Sequence, residues 1–566
     1  MLDNEILAMI KFLEKTRMPA TSVLGIETSD PYWMMTLVLL GRYYQKQSIT
    51  ISSLANSAGA AYTTALRNIE KMEQAGLVKR RGSDLNKKHI IIEPEEKLIV
   101  NFRTYCLALK TQVGSSFGLD HDDRSDFTFG GAYLAARIIP RPRKLPKPIS
   151  LESPLRILAK DDPTFLSLVR IKADLARCLG VDIEIDIQKY DELFASLLTN
   201  AEKHSSDYDI IAVDMPWLGE LHKKNAIMPI GRFAERSNLN TFDFYAAAWE
   251  GGSCFGKLLG IPYAPTAELF LYRKDILAKH EIEPPSTVQE VINAARLIND
   301  PQKEIYGASW NAARGSAIGQ TFMQVLGAFG QPPVSLNKFG ENYDLNTPVE
   351  LLRPTFDTEA GHGALDYLRE LIHYSPPDIQ DMDWYSRIEA YRSGRTAMTY
   401  EWSSQTVRFE EDIHSPARGK TGYLPHPRGP NGKNISPMGG YILSLPSNLA
   451  KERVEPAWRA LRWLASPEMV KQLILNGSPV NLRYSVAADP EASRADAVVR
   501  HVDALARLDQ LHHWCRPAIP QMNDMTRIVG ELLHDYLWGG NESKNFLRDM
   551  EERLRTAFEG SKMHLR

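Results

Sequence analysis

The chain has 566 residues, of which 43% are hydrophobic and 24% charged, with a formal net charge of −3. Single cores stop growing near ~250–300 residues, so two or three domains are expected, and the composition is neither collagenous, coiled-coil nor tail-like. Cys106, Cys178, Cys254 and Cys515 stand far apart with no C-x-x-C pair, against a disulfide framework or a zinc site, and no apolar run approaches the ~20 residues of a membrane span.

Met1-Leu2-Asp3-Asn4-Glu5 lacks the basic and then apolar segments of a secretory leader, so a cytoplasmic chain is expected. Residues 1–117 hold 15 Lys plus Arg against 11 Asp plus Glu, a balance of +4, and the remainder holds 52 against 59, a balance of −7. The front of the chain is therefore the part expected to meet a polyanion.

Residues 3–17, with Ile6, Leu7, Ile10, Phe12 and Leu13, are expected as a helix. Asp30 and Pro31 cap and open a second helix, apolar nearly all round as in the buried member of a bundle. A short strand, a Ser-capped short helix and a turn at Gly59 follow. Residues 60–75 place Ala65, Leu66, Ile69 and Met72 on one side and Tyr62, Thr63, Thr64, Arg67, Asn68 and Lys71 on the other, the pattern of a helix-turn-helix. Residues 76–92 read as a hairpin with a basic tip, Lys79, Arg80, Arg81, Lys87 and Lys88 against Asp84. A last helix covers 95–112.

From Ile51 to Glu95 this run resembles the MarR-type winged helix: Leu54-Ala55, a small turn, a Thr-rich helix and Met72-Glu73-Gln74-Ala75-Gly76-Leu77-Val78-Lys79-Arg80. Asp84, Asn86, Lys87 and Lys88 stand where that family has Asp-x-Arg at the wing tip. The resemblance implies a palindromic duplex DNA operator and a homodimer built from the flanking helices. The DNA-contacting set it implies is Tyr62, Thr63, Thr64, Arg67, Asn68, Lys71, Arg80, Arg81, Lys87 and Lys88.

Residues 118–150 are expected as a linker. Residues 118–126 are acidic and polar, 140–148 form a Pro-Lys-Arg run suited to an extended connector, and the apolar stretch between, with Phe127, Phe129, Tyr133 and Leu134, is expected to dock on a domain.

From 151 to 566 strands and helices alternate: strand 155–159, helix 165–179, strand 181–187, helix 193–201, strand 208–214. This is an α/β order, with ligands expected beyond the carboxyl ends of the strands. At its centre, Gly256-Lys257-Leu258-Leu259-Gly260-Ile261-Pro262-Tyr263, continuing through Leu277, opens an extended ribbon that leads into a helix. Gly251 through Lys257 matches G-x-x-x-x-G-K of a P-loop. Leu258 stands where a hydroxyl would hold magnesium, and Gly260 and Pro262 would interrupt the helix, so these glycines are expected in a tight turn. His512-His513-Trp514-Cys515 resembles a metal cluster on paper, but neighbouring side chains point apart, and a buried segment is expected, with neither metal nor cofactor.

Ordered motifs in this region resemble bacterial family 1 extracellular solute-binding proteins. They are 208–230, the 256–277 crossing, Pro284-Pro285-Ser286-Thr287, Gly394-Arg395-Thr396-Ala397-Met398, Met438-Gly439-Gly440-Tyr441, and 463–468 with Gly477-Ser478-Pro479-Val480; Arg273 stands where the family often has Asn. The resemblance implies two lobes joined by crossing strands, with solute in the cleft. Strand-end loops then supply candidate ligand-binding residues: Asp161, Asp162, Asp214, Trp217, Tyr263, Thr266, Trp310, Asn311, Arg314, Glu401, Trp402, Gly440, Tyr441, Arg483 and Tyr484. Aromatic faces cover the apolar side of a pyranose while carboxylates and arginine bind its hydroxyls, so the mixture suits a carbohydrate.

The expected fold is therefore multidomain, an α+β winged helix (1–117), a linker (118–150) and a two-lobed α/β periplasmic-binding-protein-like domain (151–566). The expected function is a ligand-responsive transcription regulator that senses a sugar or oligosaccharide and has no membrane partner. The alternative, a solute-binding receptor of an ABC-type transporter, explains the second domain but leaves 1–117 without a role. A glycoside-acting enzyme could use Asp214 and Glu401, yet no motif sets their separation, and no catalysis is expected.

Overall fold

The computed structural model describes residues 6–7, 9–14, 30–82, 90–116, 127–130, 137–140, 142–145, 147–339, 342–412, 414–540 and 543–562. The chain divides into two compact units, Met1–Arg141 and Pro142–Arg566. Among the described residues no helix is long and apolar enough to cross a membrane.

In the first unit the Asp30 carboxylate accepts the Tyr32 N–H at 3.0 Å and Pro31 fills the first turn of α1 (Pro31–Tyr44), where its missing N–H has no partner to lose. β1 (Ile49–Thr50) runs into α2 (Ile51–Asn56), which Thr50 caps rather than the expected serine. α3 (Tyr62–Gln74) buries Ala65, Ile69 and Met72, the face its period marks. β2 (Val78–Gly82) and β3 (Ile90–Pro94) pair antiparallel and β1 joins β3, giving the order β1-β3-β2. α4 (Glu96–Ser116) follows, then a hairpin of β4 (Phe127–Gly130) and β5 (Arg137–Pro140). Met35, Leu39, Leu54, Ile69 and Phe102 share one core.

Tyr62, Thr63, Thr64, Arg67 and Lys71 are exposed on α3, and Asn68 is half-buried. The basic side chains of β2 have acidic neighbours that the linear sequence hides: Lys79 lies 3.5 Å from Glu95, Arg80 3.0 Å from Glu73 and Arg81 3.6 Å from Glu93. Lys87 and Lys88 of the expected wing tip, and Tyr133 and Leu134 of the apolar stretch, lie outside the described residues.

The second unit begins earlier than the expected linker ends: the Leu145 N–H donates to Cys178 O at 3.0 Å and that of Ile149 to Leu179 O at 2.8 Å. β6 (Leu155–Lys160), β7 (Ile183–Gln188) and β8 (Ile210–Asp214) are parallel, with β6 in the middle. The single helix expected over 165–179 is two, α5 (Pro163–Arg170) and α6 (Lys172–Leu179), because Ile171 leaves the helical region at φ −103, ψ 15. α7 (Tyr190–Ala201) leads to β8.

The crossing is a continuous strand of 13 residues, β9 (Ile261–Arg273). Its first half, through Ala267, pairs antiparallel with β13 (Ser436–Ser444). From Glu268 onward it pairs with β11 (Thr396–Trp402) and, from Phe270, with β12 (Thr421–Leu424) as well. β10 (Tyr306–Ser309) adds parallel to β11, giving the order β10-β11-β9-β13-β8-β6-β7, with β14 (Leu511–His512) beside β13. The register shifts between Pro262 and Ala264, where a proline lacks the N–H a regular ladder would use. One core surrounds β6, β8 and Trp458, and a second surrounds Phe270, Trp310, Phe322 and Met525, so the unit has two lobes.

The glycines before the crossing serve a turn. Phe255 and Gly256, at φ 48 and 72, join the two-residue strands Ser253–Cys254 and Lys257–Leu258, and two successive left-handed residues make a tight hairpin, not a phosphate cradle.

At Gly440 φ is +92, and an added Cβ would lie 2.2 Å from Ala264 O across the β9–β13 ladder. Gly440→Ala should cost about 2–5 kcal/mol, combining the left-handed backbone penalty with overpacking. The urea midpoint reads this out, and an unchanged midpoint would show that the crossing strands can separate without loss.

Candidate functional site

Between the lobes lies a cavity of about 110 Å³. The lobe built on β6 and β8 contributes Lys160, Asp161, Asp162, Tyr190 and Asp214 to its lining, and the second lobe contributes Gln320, Trp384, Tyr385, Ile388, Glu401, Trp402, Ser404, Gln405 and Arg408; Thr266, Gly440, Tyr441 and Arg516 come from the crossing segments. The carboxyl ends of β6, β8 and β11 place Lys160, Asp214 and Trp402. α8 (Ser316–Ala328) carries Gln320 and the first turn of α9 (Trp384–Arg392) carries Trp384 and Tyr385.

Asp214 is held from two sides. The Tyr190 hydroxyl donates to its Oδ2 at 3.0 Å and Arg516 Nη2 donates to the same oxygen at 3.2 Å. The Arg516 guanidinium carbon lies 5.5 Å from the centre of the Trp402 ring, so the cation also meets an aromatic face. Gly439 leaves room for this stack, since a Cβ there would come 2.6 Å from Arg516 Nη1. Asp162 caps α5 through the Thr164 N–H at 2.9 Å and accepts Gln405 Nε2 from the other lobe at 3.2 Å.

Beneath the lining runs a buried ionic chain. Arg387 donates to Glu401 from Nη2 at 2.7 Å and Nε at 3.3 Å, and to Glu268 of β9 from Nη1 at 3.2 Å. Glu401 also accepts the Trp402 N–H at 2.9 Å, and His426 lies 3.4 Å from Glu268. Burial pushes the Asp162, Asp214 and Glu401 carboxyls above the ordinary range, with Thr164 and Lys160, Arg516, and Arg387 respectively pulling them back. Burial acts on Glu268 too, but His426 and Arg387 outweigh it and hold that carboxyl below its usual value. Burial lowers Lys160, against the pull of Asp162 and Asp161.

The cavity thus brings together Asp161, Asp162, Asp214, Thr266, Glu401, Trp402, Gly440 and Tyr441 from the sequence-derived set. The others have different surroundings. Trp217 is in the core, its ring 4.7 Å from Tyr190 and 4.8 Å from Phe194, where it backs the tyrosine that reaches Asp214. Tyr263 packs on Phe165 at 5.5 Å. Trp310 is fully buried with Nε1 donating to Ser375 Oγ at 3.0 Å, and Asn311 beside it is fully buried too. Arg314 makes an exposed two-pronged pair with Asp535, Arg483 pairs with Asp243 over the Phe244 ring, and Tyr484 packs edge-on against Tyr245. Sequence reasoning passed over Lys160, Tyr190, Gln320, Trp384, Tyr385, Ile388, Ser404, Gln405, Arg408 and Arg516. Lys160 adjoins Asp161, which it did select, and Asp383 before Trp384-Tyr385 was a legible helix cap; Arg516 carried no local signal.

A family model described as Bacterial extracellular solute-binding protein matches residues 169–471. The mannitol-binding protein of Pseudomonas aeruginosa is 23% identical over 369 residues, covering 62% of this chain and 80% of that protein. A solute-binding protein of Agrobacterium radiobacter, solved with ribitol, aligns at a TM-score of 0.64 and 23% identity over 72% of this chain and 99% of that one. Another from Agrobacterium vitis, solved with D-mannitol, aligns at 0.61 and 17% identity with the same coverage. These likenesses establish a two-lobed periplasmic-binding-protein-like fold for the second unit.

They also correct the expected function. A transcription regulator working in the cytoplasm is overturned by a family described as extracellular and by relatives named as probable or putative ABC transporter binding proteins. Neither duplex DNA nor a second copy of the chain finds support among them. The basic hairpin that suggested DNA was weighed against Asp84 alone, whereas the fold sets Glu73, Glu93 and Glu95 against Arg80, Arg81 and Lys79. The family is one of binding proteins, and the chain is not an enzyme.

The buried chain sets a stability test. Arg387→Met would strand Glu268 and Glu401 without their cation and should cost about 3–5 kcal/mol at pH 7. Stranded carboxyls have raised folded-state pKa values, so their protonation as pH falls restores stability. The deficit in urea unfolding should therefore shrink between pH 7 and pH 5; a deficit that grows toward pH 5 would refute this account.

Proposed function

The chain belongs to the bacterial extracellular solute-binding protein family, and from that membership we propose that it is the solute-binding receptor of an ABC-type transporter, taking an uncharged polyol or single sugar. The observation that carries the ligand class is the charge balance of the cleft. Asp214 is met by Arg516, Glu401 by Arg387, Asp162 feels the field of Lys160, and the two remaining charged lining residues, Asp161 and Arg408, are opposite in sign. A charged ligand would leave one buried charge without a partner, which is costly in a low dielectric. Hydroxyls can donate to the carboxylates and accept from the cations without disturbing the balance. Trp384, Tyr385 and Trp402 offer faces for the C–H side of the same molecule.

The names of the relatives, mannitol-binding and ribitol-bound, support the same class. The family's description supports a place of work outside the cytoplasmic membrane. For the first unit, the order helix, strand, helix, helix, strand, strand, helix with the sheet order β1-β3-β2 supports a winged-helix fold.

Titration calorimetry of the full chain with D-mannitol, ribitol and D-glucose, against amino acids and polyamines, tests the ligand class. Trp402→Ala should lower the affinity for the bound polyol or sugar about tenfold or more, as loss of a well-packed aromatic anchor does, with an unchanged unfolding midpoint. Heat from amino acids or polyamines alone would overturn the reading.

A further inference from the structure

The ion pair at the back of the cleft carries a specificity rule. Asp214 is 3% exposed and Arg516 is 8% exposed, so neither charge is screened by bulk water. A single oxygen, Asp214 Oδ2, accepts from both Tyr190 and Arg516, at 3.0 and 3.2 Å. Among the described residues Arg516 pairs with no other carboxylate; Glu268, whose field it feels, is held by Arg387 and His426. Asp162 is committed to the Thr164 N–H and Gln405, and Glu401 to Arg387 and the Trp402 N–H. Without the Asp214 charge, the cleft would hold a desolvated guanidinium in need of an anion.

We propose that Asp214 sets the charge of the ligand this cleft admits. Its carboxylate neutralises Arg516 and repels an acidic ligand, so the cleft takes a neutral polyol and refuses the corresponding sugar acid. When a neutral side chain replaces Asp214, the carboxylate of a sugar acid supplies the negative charge that Arg516 then lacks, and the protein becomes a sugar-acid receptor. Selectivity here comes from a repulsive element as much as from attraction. This inference rests on the polyol or sugar reading of the cleft.

D-mannitol and D-mannonate differ by a terminal hydroxymethyl against a carboxylate, and calorimetry with both on the full chain decides the matter. The wild type should bind D-mannitol at least about a hundredfold more tightly than D-mannonate, and Asp214→Asn should lose about tenfold or more for D-mannitol while gaining about tenfold or more for D-mannonate. Asp214→Ser, measured alongside, covers the case in which the asparagine variant does not fold. The double change Asp214→Asn with Arg516→Gln should abolish the gain. A folded neutral variant whose D-mannonate affinity equals that of the wild type overturns the inference, as does a gain that survives the loss of Arg516. A wild type that takes no polyol or monosaccharide overturns the function instead, and the D-mannonate gain of the variants then still decides the role of Asp214 by itself.

Discussion

One buried strand has to satisfy two sheets, and the cleft exists because it does. Along β9 the partner changes from β13 to β11 between Ala267 and Glu268. Backbone groups at such a change risk being left without partners in a dry interior. Here the 403–405 segment closes the gap: Ser403 Oγ accepts the Ala267 N–H at 3.1 Å, and Thr266 Oγ1 accepts the Ser404 N–H at 3.0 Å. Those hydrogen bonds fix the segment that carries Ser404 and Gln405 into the cavity. The position of the site follows from repairing the ladder where the strand passes from one lobe to the other.

The same logic explains why so much charge is buried behind the lining. Ion pairs taken out of water seldom add stability over a well-packed apolar alternative, but removing one partner is expensive. Arg387 joins α9 to both β9 and β11, through Glu268 and Glu401. α9 also presents Trp384, Tyr385 and Ile388 to the cavity. The aromatic wall of the site is thereby tied to the crossing strand, and displacement of either one disturbs the other. Arg516 performs a comparable task nearer the ligand, meeting Asp214 of one lobe and Trp402 of the other.

Local pattern carried much of the architecture. The cap at Asp30, the buried stripe of α3, the strand ending at Asp214 and the hairpin at Phe255 and Gly256 all depend on a few neighbouring residues, and all could be read from them. The solute-binding resemblance was legible for the same reason, as a series of short motifs in a set order. The regulator reading failed at a different level. It joined a basic stretch to a function without the acidic partners that only the paired strands bring close, and it took the first residues as evidence of where the protein works.

Residue type and chain position, with the family resemblance, thus settled the alternation of strands and helices, a crossing within 256–277 and the carboxylates at the strand ends. They could not settle which strand-end side chains face the cavity. Trp217 lies three residues past the strand end at Asp214 and Trp402 ends its strand beside Glu401, yet the first is enclosed by Tyr190 and Phe194 while the second lines the cleft under Arg516. Arg314 and Arg483 looked as able to bind a ligand as Arg516, but each is taken up by a nearby aspartate outside the cavity. Arg516 reaches Asp214 across 302 positions of sequence. Such a pairing depends on packing the two lobes against shared strands, and no local periodicity contains it.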